Sequence, residues 1–305
     1  MSNPALQEKT KPFKKGRKGP KSQVGMAPYV FIAPAIILFL LFTGYPIVYS
    51  LVLSFTTNEA GVNVFAAFEN YLRLFQDSLF YEALFNTFII LIVQVPIMTM
   101  MAVILANVLH SGIHRFKGVL RVAFFTPTVT SLVAAAIIFL LILNQDFGIM
   151  NYMLTSFGIE RIPWLNDPFW AKVSLIMVTI WRWTGYNMII ILAGLQVIPK
   201  DLYEAASIDG AGPLKKFFSI TLPQLKPVLL FAVVMSTIGT FQLFDEAFNL
   251  TGGGPINATT TVTLYLYENG FEYFDFGYAS AIAYVVVVII AILSFIQFKV
   301  AGDRE

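Results

Sequence analysis

Glu204-Ala-Ala-Ser-Ile-Asp-Gly-Ala-Gly-Pro213 has the form of a soluble helix end and turn, yet it stands between long apolar runs. Pro199-Lys-Asp201 precedes Leu202, Tyr203, Ala205, Ala206 and Ile208, which reads as a short helix with Asp201 at its N-cap. Asp209-Gly210 stops that helix, because glycine takes the left-handed conformation in which helices often end. Pro213 suits the first turn of a second helix, where its missing N–H costs nothing. There Leu214, Phe217 and Phe218 share one face and leave Lys215 and Lys216 on another. Leu222-Pro223 is expected to end this second helix, with Pro227 opening the next apolar run. Two short helices round a glycine corner serve either of two purposes. They form a docking surface, with Ala205 and Ala206 small enough for close approach and Glu204 free to pair with an arginine. Otherwise they form an amphipathic segment lying among lipid headgroups.

The surroundings set the class. Only 12% of the 305 residues are charged and 57% are hydrophobic, with 29 phenylalanines; a soluble domain carries roughly 25% charged residues. Runs of about 20 apolar residues cross a bilayer, and six are expected, at about 29–55, 85–109, 122–143, 172–195, 227–248 and 278–300. The chain is therefore an all-α polytopic membrane protein. A basic tail spans 1–28, the six-span domain 29–300, and a short terminus 301–305. The tail does not have the form of a cleavable signal peptide, and nucleic-acid binding is not expected beside membrane spans. Pro34, Pro46, Pro96 and Pro127 fall in or at the ends of spans, as ordinary packing tolerates.

Charge asymmetry orients the spans. The tail, the 110–121 loop with Arg115, Lys117 and Arg121, the 199–226 loop with Lys200, Lys215, Lys216 and Lys226, and the C-terminus with Lys299 and Arg304 all fall on one side. Positive residues of short loops favour the cytoplasm, so both termini and the Glu204–Pro213 corner are expected there. The opposite loops hold only Arg73 and Arg161, with Lys172 at a span edge.

Glu204-Ala205-Ala206, then Gly210, then Ile220-x-Leu222-Pro223 after a nine-residue gap resembles the EAA signature of ABC importer permeases. Trp183-Thr-Gly-Tyr-Asn187, Ala193-Gly-Leu195, Pro199, Phe244-Asp245 and Leu250-Thr-Gly-Gly-Gly-Pro255 are similar to its carbohydrate (maltose-type) branch, over residues 25–300. The chain has neither the two extra spans nor the large periplasmic loop of the maltose-type subunit that binds sugar in the membrane. It looks more like the compact glycerol-phosphate, lactose or multiple-sugar permeases. The resemblance implies a type I ABC importer permease fold in a prokaryotic inner membrane. It implies three kinds of partner: a second homologous permease, two ATP-binding cassette ATPases that hold the ATP and magnesium, and an external solute-binding protein. It also implies that Glu204, Ala205, Ala206, Asp209 and Gly210 belong to the coupling element that seats in the ATPase.

The chain itself carries no cofactor motif and no catalytic constellation. Gly252-Gly-Gly-Pro255 lacks the lysine of a phosphate-binding loop. His110 and His114 stand at a chelating spacing, but two imidazoles leave a structural zinc under-ligated, so no metal site is assigned. With no cysteine, thiolate chemistry is excluded. Two polar clusters remain. In Trp181-Arg-Trp-Thr-Gly-Tyr-Asn187, a mid-membrane arginine costs about 2.5–3.5 kcal/mol, so Arg182 faces the bundle interior, a wet cavity or the interface. Trp181, Trp183 and Tyr186 are either interface-belt aromatics or, with Asn187, platforms and hydrogen-bonding groups for a sugar. In Phe241–Asn249, Gln242, Asp245 and Asn249 are expected on one helical face lining the path. Glu246 is either on that path or at a hydrated helix end, and Asp245 is an alternative partner for Arg182.

The leading expectation is a non-catalytic pore subunit of an ATP-driven carbohydrate importer. The alternatives are import of another solute, such as glycerol-phosphate or polyamine, and transport driven by an ion gradient. Against the gradient reading, the central spans carry little acidic charge and the glycine corner has no purpose. An intramembrane enzyme finds no zinc motif, Ser–His arrangement or paired central carboxylates.

Overall fold

The computed structural model describes residues 26–59, 61–110 and 116–302. Residues 1–25 of the basic tail, His114, Arg115 and Arg304 lie outside the described residues. The chain divides into two compact units, one ending at Tyr49 and the other beginning at Ser50.

The first unit is a single apolar rod. Helix α1 (Ala27–Phe39) runs through a wide π-type turn at Leu40–Gly44 into α2 (Tyr45–Leu53). Phe31, Leu38 and Phe42 are all exposed, and the Tyr45 and Tyr49 rings stack at 5.8 Å. A helix apolar on every side belongs in hydrocarbon, not water, and Pro28–Leu53 is long enough to cross.

In the second unit the end of α2 is followed by an antiparallel hairpin, β1 (Thr56–Glu59) and β2 (Val62–Phe65), with Thr56 opposite Phe65. These strands are too short to show in a periodicity search. Then come α3 (Glu69–Leu74), α4 (Ser78–His110), α5 (Lys117–Val129), α6 (Leu132–Ile142), α7 (Ile149–Ser156) and α8 (Pro168–Val197). They are followed by α9 (Lys200–Ile208), α10 (Pro213–Lys216), α11 (Leu222–Phe241), α12 (Asp245–Thr251), α13 (Val262–Tyr267) and α14 (Phe276–Gly302). Among the described residues five helical segments are long and apolar enough to span, and α5 with α6 makes a sixth if the bent pair is one span.

The centre of this unit is α4 against α8. Ala102 and Ala106 of α4 let Met188, Ile191 and Leu195 of α8 approach, with Leu225 of α11 closing the cluster. A second cluster sets Ile90 of α4 and Leu175 and Val178 of α8 against Leu243, Ala247, Leu250 and Leu264. Helix α8 begins where its sequence says a helix begins. Asp167 accepts from the N–H groups of Phe169 (2.9 Å) and Trp170 (3.0 Å), and Pro168 occupies the first turn.

Three expectations about local structure are corrected. The run at 122–143 is not one straight span: α5 and α6 meet at 98°. Thr130 and Ser131 are both extended there, with ψ of 141° and 132°, at the end of a Thr126-Pro-Thr-Val-Thr-Ser131 stretch that interrupts the apolar pattern and that the reading as one span passed over. The second helix of the loop does not end at Leu222-Pro223. It widens into a π-type turn at Phe217–Thr221 and continues as α11, with Pro223 in the first turn after the wide one, where its missing N–H is tolerated. The fifth span then stops at Phe241, because threonines after the next turn satisfy the released carbonyls. Thr263 donates to the Phe241 carbonyl and Thr261 to that of Leu243.

Residues at the end of the bundle away from α9 tie the hairpin side to α13 and α14. Asp77 accepts from the hydroxyls of Tyr265 and Tyr278 and from the N–H groups of Leu79 and Phe80. Burial works against its charge, but these donors together hold its carboxyl below the usual range, while burial and Asp77 push Tyr265 up to about 12. Arg73 pairs with Asp275 at 2.6 Å and lies 3.9 Å over the Tyr278 ring.

Two measurements follow. A folded-state value below that of the unfolded carboxyl means stability present above the ordinary range, about 3.9, and lost as pH falls through the folded value. The detergent-solubilised chain should lose thermal stability in that acid window, and Asp77→Asn should remove this part of the pH dependence while lowering stability at neutral pH. A Cβ at Gly185 would overlap the carbonyl oxygen of Phe124, where α5 crosses α8, whereas among the described residues nothing outside its own helix backbone lies within 4 Å of a Cβ at Gly118. Gly185→Ala should therefore cost about 1–3 kcal/mol by thermal unfolding, and Gly118→Ala should be neutral or slightly stabilising.

Candidate functional site

Helices α4, α8 and α11 leave between them a cavity of about 210 Å³. Its wall holds Gln94 and Met98 from α4, Trp183, Tyr186 and Asn187 from α8, Ser236 and Thr240 from α11, and Gln242 just past the end of α11. None of the lining residues is charged. The Trp183 and Tyr186 rings meet edge-on at 6.1 Å. Asn187 is buried; its amide donates to the Trp183 carbonyl at 3.2 Å, and its oxygen accepts from Ser236 at 3.4 Å. Gln94 is 4% exposed, and its amide oxygen has no hydrogen-bond partner. The site thus presents aromatic faces beside amides and hydroxyls, the means of holding a neutral polyhydroxyl solute.

Among these wall residues sequence reasoning missed Gln94, Met98, Ser236 and Thr240. The signal for Gln94 was legible: a lone amide inside Ile-Ile-Leu-Ile-Val-Gln-Val-Pro is costly in hydrocarbon unless it has a partner or a function. Met98 carries no such signal, because methionine in an apolar run looks like core.

The remaining expected path residues lie elsewhere. Trp181 packs edge-on to Phe139 at 5.1 Å. Gln242, Asp245 and Asn249 do not share a helical face, because the chain breaks at 242–244 and α12 starts afresh at Asp245. That new start leaves Asp245 exposed and turns Glu246 inward, 7% exposed. The amide of Asn249 is used within α12, on the Asp245 carbonyl at 2.8 Å.

Arg182 accordingly pairs with Glu246, not Asp245, at 3.6 Å from Nε to Oε1. Its Nη1 donates to the carbonyls of Thr130 (3.0 Å) and Pro127 (3.4 Å), and Nη2 to Thr128 (3.3 Å). Thr128 returns a hydrogen bond to the Arg182 carbonyl at 3.0 Å. The guanidinium therefore caps the end of α5 at the elbow, where the helix leaves carbonyls without intrahelical partners. Both charges are buried, and removing one partner alone typically costs about 3–5 kcal/mol.

At the opposite end of α8, α9 is capped by Pro199 and not by Asp201, which falls in the first turn without a capping bond. Gly210 has φ of 73°, and the Ala211 N–H reaches the Ala206 carbonyl at 2.8 Å, the expected glycine stop. Lys216 binds the Ser207 hydroxyl (2.6 Å), and the Tyr203 and Thr221 hydroxyls meet at 2.9 Å, so the corner is braced internally. Glu204, Ala205, Asp209 and Gly210 are exposed, Ala206 is half-buried and Ile208 is 88% exposed. Leu214 and Phe218 also point outward, while Phe217 packs into the α4–α8 core; the wide turn separates side chains expected on one face.

The geometry can be set beside known proteins. Residues 75–302 match the model of the binding-protein-dependent transport system inner membrane component. The chain belongs to that family. Among its relatives, the lactose transport system permease protein LacF of Rhizobium radiobacter is 48% identical, over 91% of this chain and 94% of its own length. The arabinooligosaccharides transport system permease protein AraP of Bacillus subtilis is 38% identical, over 91% and 89%. A chain from the crystal structure of a bacterial alginate ABC transporter, in complex with an alginate pentasaccharide-bound periplasmic protein, has the same fold. It matches with a TM-score of 0.79 and 23% identity over 90% of this chain and 93% of that one. This inner membrane component is thus a multi-pass transport protein with the permease fold of ABC transporters.

If the cavity is where this component meets its solute, losing a cavity hydrogen bond or ring face should weaken capture. Gln242→Ala and Tyr186→Ala should each raise the KM of solute uptake about tenfold, the effect of roughly 1.4 kcal/mol. Asp245→Ala and Asn249→Ala, away from the cavity, should leave it unchanged.

Proposed function

We propose that this chain is the pore-forming subunit of an ATP-driven importer for a neutral sugar or oligosaccharide. The observation that carries this reading is the charge-free cavity with Trp183, Tyr186, Asn187 and Gln242 in its wall. Apolar C–H faces of a sugar ring stack on aromatic faces, and its hydroxyls need both donors and acceptors, which amides supply. A volume of about 210 Å³ falls below the roughly 300–1,000 Å³ of sites for drug-sized ligands, so the cavity takes one ring at a time. A glycerol-phosphate or a polyamine would need an opposite charge, and the charged residues behind Trp183, Arg182 and Glu246, are buried in each other's company. The names of the lactose and arabinooligosaccharide relatives support the same class of solute.

Energy enters from outside the chain. A second permease completes the pore, an external solute-binding protein delivers sugar, and two ATPase subunits carry the ATP and magnesium. In this reading α9 lies on the cytoplasmic side with both termini. Its exposed Glu204, Ala205 and Ile208, held against the glycine corner, seat in an ATPase cleft. ATP-driven closure of the ATPase pair moves α9, the movement passes to the spans, and the path opens to each side in turn.

The test is to purify the tagged chain with its co-expressed neighbours and reconstitute it in vesicles with labelled lactose. A permease–ATPase complex that imports sugar only with ATP and the binding protein supports the reading, and uptake driven by an ion gradient alone overturns it. In the same complex Glu204→Lys should abolish sugar-stimulated ATP hydrolysis without changing the fold of the spans. Normal coupled hydrolysis in that variant removes α9 from its assigned role.

A further inference from the structure

Glu246 stands where two otherwise separate structures meet, and neither the cavity nor the elbow accounts for it alone. Its Oε1 lies 3.4 Å from the indole nitrogen of Trp183 and 3.6 Å from Nε of Arg182. Charge-assisted hydrogen bonds run at roughly 2.7–2.9 Å, so both contacts are long. Nε of Arg182 is buried and has no hydrogen-bond partner. One carboxylate oxygen therefore sits between two N–H donors and fully satisfies neither.

The two donors belong to different structures. Trp183 is part of the cavity wall. Arg182, its neighbour in α8, holds the Pro127, Thr128 and Thr130 carbonyls at the 98° elbow between α5 and α6. Helix α12, which carries Glu246, packs along α6, the other arm of the elbow. The void beside the pair is about 10 Å³, at or below the roughly 10–15 Å³ that one water needs. Solvent does not readily make up the missing bond.

We propose that Glu246 is a positioning residue that links occupancy of the cavity to the elbow of the third span, by dividing one carboxylate oxygen between Trp183 and Arg182. This rests on the cavity being the solute path. A solute oxygen that accepts the indole N–H releases Oε1 from Trp183. The carboxylate then moves about 0.7 Å to close a normal charge-assisted bond with Nε of Arg182, and α12 and the end of α5 are drawn together. With the cavity empty, the indole holds the oxygen back and the elbow is looser. The ligand thus acts through its differential contact with two states of one side chain, which any solute-induced movement requires.

The test uses the whole complex in membrane vesicles. The chain has no cysteine, so Thr130→Cys places a unique thiol on it at the elbow, at a half-buried position. Its rate of maleimide labelling reports how open the elbow is. Trp183→Phe removes the competing donor and leaves the ion pair intact, so it should slow labelling about tenfold, the lower end for a hydrogen bond to a charged group. Glu246→Gln should speed labelling, and Trp183→Phe should add nothing in that background, the signature of coupling through Glu246. A purely structural tryptophan predicts the reverse, faster labelling in both backgrounds. That result, or no change on Trp183→Phe, overturns the proposal; if Glu246→Gln fails to assemble, Trp183→Phe alone decides. Lactose should slow labelling of the otherwise unsubstituted complex and leave Trp183→Phe unaffected. Protection by Trp183→Phe without any lactose effect upholds the role of Glu246 and counts instead against the sugar reading of the cavity.

Discussion

Hydrocarbon offers no hydrogen bonds, so a break in a spanning helix survives only if protein groups satisfy the backbone it releases. The bend between α5 and α6 is such a break, and one guanidinium meets most of the need. Arg182 donates to three carbonyls around it, which gives a charged residue a reason to be buried. The choice of arginine follows from its fixed planar fork, which serves several acceptors at once where a lysine would be a point charge. Its own charge then requires Glu246, and Glu246 requires α12 to begin where it does. The break after Phe241, the start of α12 at Asp245 and the close crossing of α5 over Gly185 all belong to the same solution.

The spans and the class were legible because they depend on composition. Apolar length located five of the six segments closely, and the glycine corner at Gly210 took the predicted left-handed form. What was not legible shares a cause: each case was decided by a group distant in the chain. The elbow at 130–131 has no glycine, and its Thr126–Ser131 stretch with Pro127 signals a helix end without fixing a bend; the carbonyls it frees find Arg182, more than fifty residues away. The helix at 213–241 was expected to break at Pro223 and instead broke at Phe241, where Thr261 and Thr263 supply the donors. The proline was absorbed by a wide turn just before it. Propensity fixes where a helix is uneasy, and tertiary partners fix where it yields.

The cavity was legible by halves for a similar reason. The aromatic and amide cluster on α8 stood out against its surroundings, and Trp183, Tyr186 and Asn187 do face the cavity. Helical spacing carried the inference wrongly into the next segment, because Gln242 and Asp245 are neighbours in sequence across a break, not along a helix. Gln94 stands two residues before Pro96 in the same apolar run, and of the two the amide is the more informative. Polar groups with no evident partner, more than prolines, mark the working interior of a membrane bundle.

The wide turn at Phe217–Thr221 joins α10 to α11 in one segment of 29 residues, Pro213–Phe241. At 1.5 Å per residue that is a lever about 43 Å long, with the glycine corner at one end and Ser236 and Thr240 of the cavity wall near the other. Tilting such a lever about its corner by only about 5° carries its tip through nearly 4 Å. That is comparable to the spacing of atoms in contact, so a small tilt at the corner would be enough to shift one wall of the cavity.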